Sequence, residues 1–186
     1  LRNERLAGSL SLLAGDLCFS WVHEQLLQFR EVFPANEIGK IMSVMEEDVI
    51  LGQTLDMWGM AECSEEALIK MYEAKSGNYT IQKPLLIGAK LAGVKDEDCQ
   101  ILTNYGYKLG LAFQLQDDLL GMFGDTRTLG KSTNTDIYEG KWTFLMFYVW
   151  GKLQPGERGR LKKILGNRQA NIDDCDWVRE ILIENG

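Results

Sequence analysis

Apolar residues recur three and four positions apart along almost the whole chain, beginning with Leu6, Leu10, Leu13, Leu17 and Trp21. Nowhere does a two-residue alternation last long enough to mark a strand. A period of three to four places these side chains on one stripe of an α-helix, so they can leave water only by packing helix against helix. Only three prolines occur, and Pro34 and Pro155 fall between periodic stretches as punctuation. The pattern predicts an all-α bundle with helices near 6–33, 37–62, 64–76, 80–92, 96–122, 136–150, 156–166 and 173–184. Ser64 before Glu65 and Glu66 is an N-cap followed by favourable first-turn charge, Gly77-Asn78 ends the third helix, and Asp136 caps the sixth. Between 124 and 135, Gly, Thr, Ser and Asn replace the period, which predicts a surface loop of the kind that carries binding residues.

A length of 186 residues suits a single domain, 1–186, with one sizeable core, and no composition shift suggests a second. A formal charge of −7 argues against a nucleic-acid or anionic-membrane partner, both of which attract clustered Lys and Arg. The densest basic run, Arg158, Arg160, Lys162 and Lys163, is diluted by glycine and reads as solvated. No apolar run is long enough for a transmembrane segment, and the N-terminal stretch lacks a signal-peptide layout. Cys18, Cys63, Cys99 and Cys175 are scattered without CxxC spacing, which fits free thiols in a reducing cytoplasm. Residue 1 is a leucine that enters an established helical period, so the chain reads as part of a longer protein.

The chemistry concentrates in residues 110–143, GLAFQLQDDLLGMFGDTRTLGKSTNTDIYEGKWT. Gln114 lies three residues before Asp117, and Asp118 follows at once, so all three can share one helical face and replace core with an acidic edge. Two neighbouring carboxylates repel each other unless a cation or solvent compensates them. Gly130-Lys131 and Gly140-Lys141 bracket Asp136, placing both ammonium groups about a helix start, a poor location for them unless an anion joins. Carboxylate-bound magnesium recruits phosphate oxygens to complete its shell, and lysine serves phosphate as a point charge. The pattern is that of a magnesium–diphosphate site.

These residues carry a resemblance. FQxxDD followed by GK, then D, then EGKxT is similar to the second aspartate-rich region of the trans-type polyprenyl diphosphate synthases. Leu13-Ala14-Gly15-Asp16, Gly52-Gln53-Thr54-Leu55-Asp56 and Lys75-Ser76 stand upstream in the family's order. The resemblance implies an isoprenoid-synthase-like helical bundle of which this chain is the C-terminal part, the N-terminal helices being absent. It implies a prenyltransferase that condenses isopentenyl diphosphate with an allylic diphosphate, using Mg2+ and acting as a homodimer. Asp117 and Asp118 would then be metal ligands, and Lys75, Ser76, Gln114, Lys131 and Lys141 would bind the diphosphate, Ser76 standing where threonine is usual. The fragment alone is expected to be inactive, and the alternative is a non-catalytic subunit of a heteromeric synthase.

Two departures stand out. The family's DDxxD ends here in Gly121, leaving Asp125 as the nearest further acid, and the first aspartate-rich region with its arginines is missing. Gln53 and Asp56, one turn apart on the second helix, read either as a polar link between helices or as residues that orient substrate or lysine. Asp16 reads as a packing or hydrogen-bonding residue, His23 as surface, and Phe113, Met57, Met60 and Phe123 as core in preference to the wall of an apolar pocket.

Overall fold

The computed structural model describes residues 2–31, 34–58, 64–125, 127, 130 and 132–185. Its elements are α1 (Arg2–Gln28), α2 (Ala35–Trp58), α3 (Glu65–Tyr72), a π-helical segment (Glu73–Gln82), α4 (Lys83–Leu91), α5 (Asp96–Phe123), α6 (Thr135–Glu139), α7 (Phe144–Trp150), α8 (Pro155–Ile164) and α9 (Ile172–Asn185). Among the described residues there is no strand.

Local signals set several boundaries. Ser64 caps α3 by accepting from the Ala67 N–H at 3.2 Å. Asp96, Glu97 and Asp98 fill the first turn of α5, where the helix dipole favours negative charge. Lys90 reaches back to Asp96 at 2.5 Å and to Glu37 at 3.2 Å, fastening the α4–α5 corner to the start of α2. Pro155 opens α8 behind a capping box formed by Gln154 and Glu157.

The expected break at Gly77-Asn78 does not occur. The chain passes through both residues in π-helical form, the Lys83 N–H reaching the Asn78 carbonyl, and continues without a turn into α4. The reason is tertiary. A Cβ on Gly110 would stand 2.6 Å from the Gly77 Cα, and one on Gly52 would stand 2.4 Å from the Lys75 nitrogen. Glycines therefore let α5 and α2 approach the π segment backbone to backbone from two sides, and Asn78 is held by donating its amide to Asp48 at 2.7 Å. The close approach requires glycine at 110 and 52, whereas a Cβ on Gly77 would meet only an ordinary contact, 3.5 Å from the Gly110 carbonyl carbon; Gly77 does not reverse the chain.

The expected helix 136–150 is likewise interrupted. α6 ends at Gly140 in the left-handed conformation (φ 71°), Lys141 to Thr143 run non-helical, and Thr143 caps a new helix, α7, by accepting from the Met146 N–H at 3.4 Å. Asp136 lies inside the first turn of α6, after the N-cap Asn134.

The main core fills the C-terminal half, where Met122 of α5 and Ile137 of α6 meet Met146 and Val149 of α7, Leu161 of α8 and Val178 of α9. A smaller cluster of Leu68, Met71 and Tyr72 packs α3 against Leu111 and Leu115 of α5 and Phe144 of α7. α1 packs on α2, and its leucines, among them Leu10 and Leu13, remain exposed. Asp16 is exposed on the same helix. The core reading of Met57, Phe113 and Phe123 does not hold, since they are 79 %, 50 % and 41 % exposed; Met60 lies outside the described residues. No helix among the described residues is long and apolar enough to cross a membrane.

Candidate functional site

A cavity of about 240 Å³ opens where the π segment, the middle of α5 and the α6–α7 connection meet. Its wall includes six of the seven residues that the resemblance assigns to metal or diphosphate: Lys75, Ser76, Gln114, Asp117, Asp118 and Lys141. Asp56, Asp136 and Phe113 join them. Lys131 lies outside the described residues. Gln53 is exposed and faces a neighbouring surface hollow with Asp56. His23 sits on the surface of α1 with its Nε2 3.6 Å from Glu46, and the Cys18, Cys99 and Cys175 thiols are free.

The two adjacent aspartates differ sharply. Asp117 is exposed and has no hydrogen-bond or ion-pair partner among the described residues. Asp118 is buried, and both of its oxygens accept: Oδ1 from the Gln114 amide at 2.9 Å, Oδ2 from the Tyr72 hydroxyl. Burial pushes the Asp118 pKa up to about 6; the Tyr72 and Gln114 hydrogen bonds and the Lys75 charge pull it down, and the Asp136 charge adds to the rise. Tyr72, itself buried, accepts in turn from the Phe144 N–H at 2.8 Å. Burial first, then the charge of Asp118, holds the Tyr72 hydroxyl above the usual phenol range, so it stays a donor.

Each described lysine of the site has an acidic partner. Lys75 lies 2.8 Å from Asp56, an ion pair that links α2 to the π segment at the cavity wall. Lys141 lies 2.6 Å from Asp136 and 3.3 Å from Glu139. Burial works against the Lys141 charge, yet these two carboxylates hold its pKa above the ordinary lysine value. The expectation of lysines left without a partner is therefore corrected for Lys141. The helical turn 135–139 folds it back onto Asp136, and Gly140, left-handed, makes that reversal possible.

Asp125 does not replace the acid missing at 121. It is exposed at the end of α5, 3.5 Å from Arg127, and is not part of the cavity wall. Tyr72 is the residue the sequence reading passed over. Its signal was available, because a tyrosine one turn after Leu68 on an apolar stripe needs a partner for its hydroxyl. Arg179 of α9 also escaped notice. It donates to the Met122 carbonyl at 3.0 Å, to Thr133 at 3.0 Å and to Asn134, tying the end of α5 to the turn before α6.

The comparisons with known proteins agree with this architecture. The family model for polyprenyl synthetase matches residues 3–182. A short chain isoprenyl diphosphate synthase of Methanocaldococcus jannaschii is 32 % identical over 174 residues, covering 93 % of this chain and 53 % of that protein. A geranylgeranyl diphosphate synthase of Sulfolobus acidocaldarius is 31 % identical over 178 residues, covering 93 % and 54 %. Among solved structures, the geranylgeranyl pyrophosphate synthase of Corynebacterium glutamicum complexed with isoprenyl diphosphate and magnesium superposes with a TM-score of 0.82 at 32 % identity, covering 96 % of this chain and 51 % of that one. The polyprenyl synthase of Caulobacter crescentus complexed with calcium and isoprenyl diphosphate gives 0.84 at 28 % identity, with 96 % and 54 % covered. The fold is thus the helical bundle of the isoprenoid synthases. The chain belongs to the polyprenyl synthetase family, and it spans about half the length of the curated relatives it matches.

Proposed function

We propose that this chain forms one domain, the C-terminal part of a trans-polyprenyl diphosphate synthase, and supplies one wall of its diphosphate site. The observation that carries the reading is the cavity that gathers Asp117, Asp118 and Asp136 with Lys75, Lys141 and Ser76. A site that mixes several carboxylates with two ammonium groups suits a ligand that is itself an anion–cation pair, such as magnesium diphosphate. The reaction would join isopentenyl diphosphate to an allylic diphosphate and release diphosphate.

The donor set fits magnesium. Asp117 offers a free, hard oxygen, and no three acidic, histidine or cysteine side chains among the described residues close around a point to hold an ion alone. The remaining ligands then come from diphosphate and water, as magnesium prefers. Magnesium, when bound there, acts as a Lewis acid on the diphosphate oxygens and fixes the leaving group.

The chain's own residues do the rest. Lys75, steered by Asp56, and Lys141, steered by Asp136 and Glu139, bring positive charge to the departing diphosphate. Ser76 adds a hydroxyl at the wall. Gln114 spends one amide hydrogen on Asp118 and keeps a second for the ligand. Tyr72 and Gln114 fix Asp118 so that it does not turn away from the cavity. The protein is further read as a cytoplasmic homodimer, with the exposed leucine-bearing face of α1 as a surface that needs cover.

The deciding assay supplies the full-length protein with labelled isopentenyl diphosphate and each allylic primer, with magnesium or with EDTA. Magnesium-dependent products that collapse in Asp117→Ala are the expected result. A folded protein that elongates no primer would move the assignment to a non-catalytic subunit of a heteromeric synthase.

A further inference from the structure

Beside the diphosphate cavity lies a second hollow that the proposed chemistry leaves unused. It has a volume of about 460 Å³ and is bounded by the end of α2, by α6 and by the turn that joins α8 to α9. Asp56 and Lys141 line both spaces, so the hollow is the outer neighbour of the cavity. The acids on its wall are already matched: Asp56 holds Lys75 at 2.8 Å, and Glu139 holds Lys141 at 3.3 Å. Arg168 is different. It is exposed, and its guanidinium has no hydrogen-bond or ion-pair partner among the described residues.

The backbone fixes its place on the wall. Gly140 and Gly166 are both left-handed, at φ 71° and 78°, and a Cβ on Gly140 would stand 3.0 Å from the Gly166 Cα. The Gly166 N–H donates to the Ile137 carbonyl at 2.9 Å, riveting the turn to the end of α6 from which Lys141 departs. Asn167 shapes the following residues, its side chain accepting from the Gln169 N–H at 2.9 Å and its carbonyl from the Ala170 N–H at 3.0 Å. The abutting glycines thus bring an unpaired cation to the same wall as Lys141, together with the hydrogen-bonding side chains of Gln53 and Tyr138.

We propose that this hollow is an anion station, in which Arg168 and Lys141 receive a metal-free diphosphate group before or after it occupies the inner cavity. The inference rests on the reading of that cavity as the metal–diphosphate site. In the absence of magnesium the inner wall sets Asp117, Asp118 and Asp136 against two lysines that are already paired, and it repels a diphosphate. Outside, the guanidinium offers phosphate oxygens a planar fork of donors and keeps its charge at every working pH. Once the inner carboxylates are neutralised by magnesium, the preference reverses and the anion moves inward.

Calorimetry with inorganic diphosphate on the full-length protein, in EDTA and in magnesium, tests the station, with far-UV circular dichroism confirming the fold of each variant. The parent is expected to bind diphosphate in EDTA, and Arg168→Gln to weaken that binding by about 10-fold and to flatten its dependence on salt. Arg168→Lys, which keeps the charge without the fork, should recover part of the loss. Asp117→Ala should abolish the extra affinity that magnesium confers and leave the EDTA value unchanged or tighter. Two results would overturn the station: a parent that binds no diphosphate in EDTA, or a folded Arg168→Gln variant that binds it as the parent does. A parent that binds in EDTA through Arg168 but gains nothing from magnesium would sink the reading of the inner cavity and leave the station standing by itself.

Discussion

Replacing Tyr72 by phenylalanine removes a single oxygen from a buried relay and should produce a pH-dependent loss of stability. The hydroxyl donates a hydrogen bond to Asp118 and accepts one from the Phe144 N–H at 2.8 Å, so its removal leaves a buried carboxylate and a part-buried N–H short of a partner. A hydrogen bond to a charged group contributes about 1.5–3 kcal/mol and a neutral one about 1 kcal/mol, which gives a loss of about 3 kcal/mol when Asp118 is ionised. The sign of the pH dependence follows from Asp118. Its pKa in the fold is raised from the ordinary 3.8 to about 6, so ionisation within the fold costs stability as pH climbs through that interval, and the full cost is present above it. Tyr72 offsets part of this cost, and phenylalanine cannot. In metal-free buffer the variant should therefore lose about 3 kcal/mol near pH 8.5 but only about 1–1.5 kcal/mol near pH 4.5, where Asp118 is protonated in both proteins. Urea unfolding of parent and variant at both pH values measures the difference, and other titrations cancel between them. A loss that is constant to within about 0.5 kcal/mol across this range would refute the argument that Tyr72 acts through the charge of Asp118.

Three further outcomes are expected. Gly110→Ala should lower stability by about 1–3 kcal/mol through forced separation of α5 from the π segment, while Gly8→Ala, with nothing within 4 Å, should raise it by about 0.5–1 kcal/mol; thermal melts of the two variants distinguish packing from helix propensity. Arg179→Met should cost about 1–3 kcal/mol and, more tellingly, should speed proteolytic cleavage between residues 124 and 135 before global unfolding, because the fastening of that turn to α5 and α9 is lost. Asp56→Leu should leave Lys75 without its carboxylate and slacken diphosphate binding by calorimetry even where the melting temperature is unchanged; equal affinity would show that Lys75 needs no steering.

What could be read from the sequence was whatever local spacing controls. Ser64 and the acidic first turn of α5 mark helix starts through groups a few residues away, and the structure has both where the spacing put them, while Pro155, expected between helices, opens α8 as its first residue. The face shared by Gln114, Asp117 and Asp118 was legible for the same reason. What escaped was set by partners distant in sequence. Gly77 looks like a break until Gly110 is brought against it, and Tyr72 looks like ordinary core until Asp118, 46 residues later, accepts its hydroxyl hydrogen bond. The split of 136–150 into two helices turned on Gly140 and Thr143, whose capping roles compete with an apolar run that by itself favours continuation. The different fates of Asp117 and Asp118 could not be read either, since adjacent identical residues differ only in what the fold lays over them.

The π-helical stretch from Glu73 to Gln82 gives this region an unusual response to insertion and deletion. A π turn holds one more residue than an α turn, so the segment stores extra chain within an otherwise continuous rod. Loss of a single residue there that is not absorbed by relaxation to α geometry would turn everything downstream by about 100° about its axis. Lys75 would keep its place, while Gln82, which grips the Thr103 carbonyl at 3.3 Å, and the apolar stripe of α4 would swing away from α5. A lengthening or shortening by one residue in this stretch is therefore a phase error between two halves of one rod, and its damage would appear where α4 meets α5, away from the altered position.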